Sequence, residues 1–600
     1  MTEGRKDSIL AVDFGSVNTR VLLFDVVDGE YALVAQRQGR TTIDAPSDDV
    51  QVGLTKILRE LSSAADRRFF DETGALIKPE QSERIGIDHC ITTASAGPPI
   101  KVALIGLLAD KGIASARRAI LPFYTDAVAE IHLQDGLSDR ARLNRIVDSR
   151  PDLIFLSGGT DGGARAAMQT LLELTREAVS AIPPGNRPTV LYAGNRDLSA
   201  SARERLGQLV EVMTAPNIRP TAQRADVEPT QKILSRYYSE FRGRAGSSYQ
   251  NIAATSDTGI MPSAHSVEMM AGFFARMLNT VVLSLDVGGA KSALCVARGE
   301  GRQSALRTNI GMGQSAANTL ELAGEEAVKA WLPFHARKGE LAGYAVKKGL
   351  RSVNKPLDMR ERYIEYALLR AGIQLLLDDA KRSSDEEDWR NALSRLGLVV
   401  LGGATLAGSG QGALDMMLLS DVLPFGGVTQ VMSDRQGALP ALGALASTNP
   451  SAVVQLLQSG VVEYVGSLIK ATGRATLGRR ALKIGIEMPS GESVEREIVA
   501  GDIWRLPVPA GSSADVSIQV GRGIRVGDKR RMRLRLRGGR GGILFDARLS
   551  AMSATESITE RAVHMLRWFA AVTGEDQPVM IPESWLVAPE DPIGQSLQNQ

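Results

Sequence analysis

Cysteine, histidine and net charge are all scarce in this 600-residue chain, and each scarcity excludes something. The two cysteines, Cys90 and Cys295, sit inside apolar strand-like runs and read as buried thiols, which leaves no disulfide framework. The five histidines, at 89, 132, 265, 335 and 564, show no zinc-ligand spacing. His89 lies within the run "ERIGIDHCITTASAG" and reads as a satisfied core residue rather than a catalytic base. Lys+Arg of 70 against Asp+Glu of 68 gives a formal net charge of +2, so no global field recruits nucleic acid or an anionic membrane. No apolar run reaches the ~18 residues of a membrane span, and "MTEGRKDSIL" carries no apolar signal region. The expectation is a cytoplasmic protein of about four domains at ~150 residues each. Nothing in the sequence sets an oligomeric state.

Sharper motifs are missing too. "GGAKS" has Ala290 and Leu285 where a phosphate-binding P-loop needs glycines, and no G-x-G-x-x-G follows a strand. Asp88 and His89 are adjacent, so the Asp-x-His-x-x-Gly cobalamin signature is absent and the chain is not expected to carry cobalamin itself.

What is present is a repeated strand-turn-strand pattern, "ILAVDFGSVNTR" at 9–20 and "LSLDVGGAKSAL" at 283–294, followed by the Gly-rich "VVLGGATLAGSG" at 399–410. In each copy an apolar strand ends in Asp, then glycine, then small polar residues. Glycine lets the backbone approach a phosphate, turn amides and hydroxyls bind its oxygens, and a carboxylate holds Mg²⁺ through water. The candidate phosphate-binding residues are Gly15, Ser16, Asn18, Thr19, Gly288, Gly289, Lys291 and Ser292, with Gly402, Gly403 and Ala404 for the nucleoside. Asp13 and Asp286 are the candidate catalytic and Mg²⁺-holding carboxylates. Two copies and a third glycine-rich stretch predict two related halves closing on one nucleotide.

Along the chain, 9–13, 21–26 and 31–36 read as strands, and Leu54, Ile57, Leu58 and Leu61 mark a helix capped by Ser47-Asp48-Asp49. Residues 98–214 alternate strand and helix, with Met168, Leu171, Leu172, Thr175, Val179 and Ile182 on one helical face. This predicts an inserted parallel α/β subdomain. Its loop Ser157–Gly163, "SGGTDGG", follows a strand and opens a helix. An anion site and a simple tight turn both fit it. Residues 215–260 are polar and Arg-rich, and "FRGRAGSSYQ" within them reads as a mobile loop. Ile364, Leu368, Ala371 and Leu375 mark a buried helical face, and "KRSSDEED" reads as a solvated connection. Beyond about 460 the pattern turns to strands, closed by a helix from Glu556 to Thr573 with Ile558, Ala562, Met565, Leu566 and Phe569 on one side. Arg531, Arg533, Arg535 and Arg537 alternate with Met532, Leu534 and Leu536, which leaves open a solvated sheet face or a docking surface. The expected domains are 1–97, 98–214, 215–280, 281–459 and 460–600.

The order Asp13-Gly15, Asp286-Gly288-Gly289, Gly402-Gly403 resembles the actin, sugar kinase and heat-shock chaperone ATPase superfamily, and "MPSAHSVEMMAGFFARML" and "GALPALGALA" resemble its two linking helices. "DFGSVNTR", "PDLIFLSGGTDGG", "TVLYAGN", "IMPSAHSV", "LDVGGAKS", "NIGMG" and "LPALGALA" are similar to the glutamate mutase L (MutL) family within it. The resemblance implies an α/β fold of two actin-like, ribonuclease H-like ATPase halves with an inserted subdomain and a mostly-β C-terminal domain. It implies ATP or ADP with Mg²⁺ as ligands, and a reactivase-type accessory role toward an adenosylcobalamin-dependent mutase. The chain departs from the family pattern where Lys291, Ser292 and Ala293 replace Thr-Thr-Asp and where Met261 stands at the water-activating Glu of the chaperones. These departures predict slow ATP hydrolysis or none. A nucleotide-gated scaffold and a small-molecule kinase with Asp161 as base are the alternatives.

Overall fold

The computed structural model describes residues 7–44, 46–244, 247–299, 301–352, 354–382, 386–488, 491, 493–549, 557–574 and 580–587. The chain forms two units, residues 1–29 with 34–266 and residues 30–33 with 267–600.

In the first unit, β1 (Ile9–Phe14) runs into β2 (Asn18–Val27) and β3 (Glu30–Arg40), and a helix at Val50–Ala65 follows. Asp49 caps that helix by accepting from the Gln51 amide, and Val50, Leu54, Ile57, Leu58 and Leu61 bury the expected face. β4 (His89–Ala94) comes next, then β5 (Ile100–Gly106), β6 (Thr125–His132), β7 (Leu153–Leu156), β8 (Thr189–Tyr192), β9 (Val212–Thr214) and β10 (Ile260–Pro262). The main sheet has the order β10-β4-β1-β2-β3. β1 pairs antiparallel with β2 and parallel with β4, and all six of its residues are buried, as expected of a central strand covered on both faces. β6-β5-β7-β8-β9 form a second sheet, inserted in the chain between β4 and β10 and parallel throughout its pairings. Met168, Leu171, Leu172, Thr175 and Val179 of the helix Arg165–Ala181 are buried with the apolar runs of β7 and β8, as their helical spacing predicts.

The second unit repeats the first sheet. β11 (Val281–Val287), β12 (Ser292–Arg298), β13 (Gly301–Arg307), β14 (Leu396–Gly402) and β15 (Gly427–Ser433) stand in the order β13-β12-β11-β14-β15. β11 pairs antiparallel with β12 and parallel with β14, as β1 does with β2 and β4. Three antiparallel strands followed by two parallel ones, in the same spatial order twice, is the topology expected of two actin-like halves. The fifth strand of each sheet leads into a helix, Ser263–Leu278 and Leu439–Leu445, where the two linking helices are expected.

The remaining strands are β16 (Glu463–Lys470), β17 (Thr472–Gly473), β18 (Arg480–Glu487), β19 (Ser493–Val499), β20 (Ile503–Leu506), β21 (Ser513–Val520), β22 (Ile524–Arg525), β23 (Arg531–Arg537) and β24 (Gly542–Asp546). β16, β24 and β20 extend the sheet beyond β15, whereas β19-β18-β21-β23 form an antiparallel sheet of their own. The helix Ile558–Thr573 has a capping box between Ser557 and Glu560 and buries Ala562, Met565, Trp568, Phe569 and Val572. Trp568 and Val572 replace the expected Ile558 and Leu566, which are half-buried, because the Trp568 indole donates to the Gly501 carbonyl at 2.9 Å and rotates the apolar stripe.

Three expectations are corrected. His89 is exposed and not in the core; its Nδ1 lies 3.3 Å from the Asp257 carboxylate at the surface. The polar stretch 215–260 contains the helices Glu228–Arg242 and Gln250–Thr255, which trim the expected loop "FRGRAGSSYQ" to the residues between them. Leu234, Tyr237 and Tyr238 form the buried stripe of the first, and the buried Arg242 donates to the Pro98 carbonyl at 2.7 Å. In the helix Met359–Arg382 the buried face continues through Leu376 and Leu377, with Leu375 half-buried. Residues 245–246 of "FRGRAGSSYQ", 383–385 of the charge run and Glu556 lie outside the described residues.

A buried ionic cluster ties several of these elements of the second unit together. Asp421 accepts from Arg370 at 2.5 Å and from Arg548 at 2.7 Å, and Asp546 accepts from Arg548 at 2.6 Å and from the Ser420 hydroxyl at 2.5 Å. Burial pushes the Asp546 carboxyl up, but the Arg548 guanidinium outweighs it and holds it down at about 2. Removing one member leaves the others charged and dry, which costs ~3–5 kcal/mol. Asp546→Ala is therefore expected to lower the unfolding free energy of the second unit by about that amount, read by chemical denaturation; an unchanged midpoint would show the cluster to be dispensable.

Candidate functional site

The repeated turns are built by one close approach. In the first, the Gly15 amide donates to the Asn18 carbonyl at 3.0 Å, and a Cβ on Gly15 would lie 2.7 Å from that oxygen. In the second, the Gly288 amide donates to the Lys291 carbonyl at 3.0 Å, and a Cβ would lie 2.6 Å away. Only glycine fits either place. The loop this closes turns its middle amides away from the sheet. Among the described residues, the amides of Ser16, Val17, Gly289 and Ala290 donate to no protein acceptor. Pairs of successive free amides in a tight turn are what an anion such as a phosphate oxygen binds.

The carboxylate before each turn is held differently in the two units. Asp13 is buried, and its Oδ1 accepts from the hydroxyls of Thr93 and Ser263, both at 2.7 Å. Thr93 lies beside Asp13 in the parallel register of β1 and β4, and Ser263 follows the end of β10. Oδ2 has no protein partner among the described residues, so it is the oxygen that can hold a metal-bound water. At the corresponding place beside Asp286 the second unit has Gly402, where a Cβ would lie 3.4 Å from the Asp286 carboxyl group. Gly403, at a φ of +81°, lies against the Val287 backbone, and a Cβ there would fall 2.0 Å from the Val287 carbonyl oxygen. Two hydroxyls pin the first carboxylate; beside the second, glycines let the end of β14 pack closely.

The other predicted residues take two kinds of place. Ser16 and Asn18 of the first turn and Gly289 and Lys291 of the second are half-exposed, and Ala404 is exposed. Thr19 and Ser292 are buried, and their hydroxyls are spent on the protein. Thr19 meets Thr41 at 2.9 Å, Thr41 in turn donates to the Gly15 carbonyl at 2.6 Å, and Ser292 donates to the Ile310 carbonyl at 2.9 Å. Both therefore brace the turns from behind. In the second unit "NIGMG" adds to this, with the Met312 amide on the Gly288 carbonyl at 2.9 Å and the Gly313 amide on the Gly289 carbonyl at 2.8 Å. Ala404 begins a single helical turn closed by the Gly408 amide on its carbonyl at 3.1 Å. Sequence reasoning missed Thr41, Thr93 and Ser263. The available signal was a hydroxyl at or just past the end of β3, β4 and β10.

Two further candidates resolve into structural roles. The loop 157–163 is pinned by Asn195, which is fully buried and donates to the Gly163 carbonyl at 2.6 Å, and by Asn217, which donates to the Gly159 carbonyl at 3.0 Å. Asp161 accepts from Asn217 at 2.9 Å and from the Arg196 amide at 3.0 Å. Burial raises its carboxyl, but these hydrogen bonds outweigh it and hold the group below its ordinary value, the wrong direction for a kinase base.

With this geometry in place, the comparison with known proteins is decisive on one point: the MutL protein family matches residues 9–461. The chain belongs to that family. It is 23% identical to Protein MutL of Clostridium tetanomorphum over 233 residues, 39% of this chain and 44% of that one, so the match spans less than half of this relative's length. Among solved structures the chain is similar to nucleotide-free acetone carboxylase, at 13% identity, covering 82% of this chain and 81% of the other with a TM-score of 0.31. It is also similar to component A of the (R)-2-hydroxyglutaryl-CoA dehydratase of Acidaminococcus fermentans, at 10% identity, covering 74% and 99% with a TM-score of 0.26. A third is gluconate kinase from Lactobacillus acidophilus, at 11%, 76%, 92% and 0.28 in the same order. Among the described residues no group of His, Cys, Asp and Glu could hold a metal by itself, and no helix is long and apolar enough to cross a membrane.

One titration next to the Gly402–Gly403 loop can be tested now. Asp415, in the first turn of the helix Gly412–Val422, accepts from the Ser409 hydroxyl at 2.7 Å and so ties the loop's end to the helix. Burial pushes its carboxyl up to about 7 against the opposing pull of Ser409 and Arg540. A carboxyl raised in the folded state binds more protons there than in the unfolded chain. Its contribution is present below about pH 4 and is lost as pH rises to about 7. Asp415→Asn, which keeps the bond to Ser409, is expected to match the wild type near pH 4. It should exceed the wild type above pH 7, by at most ~4 kcal/mol at ~1.4 kcal/mol per unit. Parallel pH profiles of melting temperature would contradict this.

Proposed function

We propose that this chain is an ATP-binding accessory protein that uses Mg·ATP to change its affinity for an adenosylcobalamin-dependent mutase, so that damaged cofactor can leave the enzyme. The observation that carries the reading is the duplicated turn, with its obligatory glycine, free amides and preceding carboxylate. Membership of the MutL family supports the accessory role.

The residues present fit a magnesium nucleotide. A bound Mg²⁺ would neutralise phosphate charge, and the nucleotide would supply the bond to be cleaved. The amides of Ser16 and Val17 in one unit, and those of Gly289 and Ala290 in the other, would bind phosphate oxygens, Asp13 Oδ2 and the Asp286 carboxylate would hold metal-bound water, and the Lys291 ammonium would add positive charge. Gly402 and Gly403 let the end of β14 lie close against Asp286 and the Val287 backbone, which would bring the exposed turn at Ala404 to the nucleoside.

Turnover is slow in this reading. In-line transfer to water needs a group that positions or deprotonates the nucleophile. The residue directly across the hairpin from Asp286 is Ala293, and the one across from Asp13 is Arg20, so neither turn supplies a second carboxylate on that face. Lys291 strengthens binding of ground and transition states alike, which does not lower the chemical barrier. Lacking a placed base costs ~10²–10⁴-fold. A nucleotide-gated scaffold without turnover is the second reading, and it rests on the same missing carboxylate.

Mg·ATP or Mg·ADP is expected to raise the melting temperature, with ~2.7 kcal/mol of stabilisation at a hundredfold excess over Kd. Asp286→Ala should weaken the Mg²⁺ dependence of this shift while leaving the fold intact. Lys291→Thr combined with Ala293→Asp should accelerate hydrolysis in single-turnover measurements. No shift at millimolar nucleotide removes the reading altogether; wild-type turnover near ~10 s⁻¹ removes only the claim of slow hydrolysis. Pull-down of a mutase that depends on Mg·ATP tests the partner.

A further inference from the structure

Residues 522–540 carry nine arginines and lysines against one carboxylate, Asp528, in a chain whose net charge is +2. They lie beyond residue 461, where the family match ends. The centre of this segment is β23, an edge strand of the sheet β19-β18-β21-β23. Arg531, Arg533, Arg535 and Arg537 are all exposed, while Leu536 is buried and Met532 and Leu534 are half-buried on the other face. Among the described residues none of the four arginines is ion-paired. Arg535 donates to the Ser513 hydroxyl at 3.1 Å, and Arg537 lies over the Tyr464 ring.

The register says where the backbone of β23 points. The Val520 amide donates to the Arg530 carbonyl at 3.1 Å, and the Gly538 amide to the Ser512 carbonyl at 2.8 Å. These bonds bracket the β21–β23 ladder, in which Ser517 faces Arg533 and Asp515 faces Arg535. Hydrogen-bonded and non-bonded pairs alternate in an antiparallel ladder, so residues 532, 534 and 536 bond β21 and the four arginines do not. Their N–H and C=O groups face the open edge. The same residues that present guanidinium groups on the outer face also present the unpaired backbone.

We propose that β23 is a docking edge for an acidic, extended protein segment, which adds to the sheet as a further strand and sets its carboxylates opposite Arg533 and Arg535. An added strand pairs through its main chain, and alternate side chains fall on the arginine face. Carboxylates directly across from the arginines match the charge that the sheet leaves unpaired. Nucleic acid fits less well. Among the described residues the strands of this sheet carry no aromatic side chain in register with the arginines on which a base can stack, and an open backbone edge pairs with another strand rather than with phosphates. A trough of about 290 Å³ lies over Gly485 and Ser517 beside Arg533 and Arg535, with Glu487 and Asp515 also lining it, so the arginine face is open to solvent.

The test uses the full chain and a fluorescein-labelled peptide of roughly eight residues alternating Glu and Val, read by fluorescence anisotropy, with Gln-Val and Lys-Val peptides and a single-stranded oligonucleotide alongside. Saturable binding of the Glu-Val peptide is expected, weakening with salt and by roughly tenfold or more in R533E/R535E. Arg535→Pro should weaken it further than Arg535→Ala, because proline removes the outward amide without touching the β21 ladder. Equal binding of the Glu-Val and Gln-Val peptides, tighter binding of the oligonucleotide, or equal effects of the alanine and proline changes each overturns the proposal. None of these readouts depends on nucleotide, so the outcome is separate from that of the proposed ATP-binding role.

Discussion

The constraint from which the candidate site follows is the distance between a glycine and a carbonyl oxygen three residues ahead. At Gly15 and again at Gly288 the backbone turns so tightly that no side chain fits, and the amide–carbonyl bond of 3.0 Å that closes the turn is the same in both. Everything next to it is fixed in consequence. The two following amides point away from the sheet, the carboxylate two residues earlier lies at the end of a fully or largely buried strand, and buried hydroxyls and a glycine-rich strap hold the turn from behind. Chemistry at such a place is a matter of position, because the groups that face the ligand are mostly main chain.

The parts of this arrangement that are local in the chain were legible in the sequence, and the parts that are not local were not. "AVDFGS" and "SLDVGG" each contain strand, carboxylate and turn within a few residues, so pattern alone places them. The hydroxyls that orient Asp13 come from positions 80 and 250 residues away, and only the parallel register brings them alongside. The same limit applies to the strands beyond 460. Their alternation was readable, but not that β16, β20 and β24 continue the sheet of the second half while four others form a sheet of their own. The helix Glu228–Arg242 escaped because its buried stripe includes an arginine and two tyrosines, which a hydrophobic count scores as polar or neutral. His89 misled in the opposite direction, since a residue at the first position of a buried strand can still face solvent.

The two halves share a topology but not a division of labour. In the first, hydroxyls crowd the carboxylate and fix its direction. In the second, glycines let the neighbouring strand end pack closely against the carboxylate and its strand, and a lysine stands in the turn. The arginine-rich edge strand belongs to neither repeat, and its chemistry is set by charge and an open backbone rather than by a turn.

The inserted sheet leaves the first half after β4 and returns through β10, and these are the two strands whose ends carry Thr93 and Ser263. The return is not direct, because the helices Glu228–Arg242 and Gln250–Thr255 stand between β9 and β10. The insertion also meets the segment that carries Ser263 through space, where the Tyr124 hydroxyl accepts from the Ala264 amide at 3.0 Å. The packing of the insertion and the direction of Asp13 therefore share one neighbourhood.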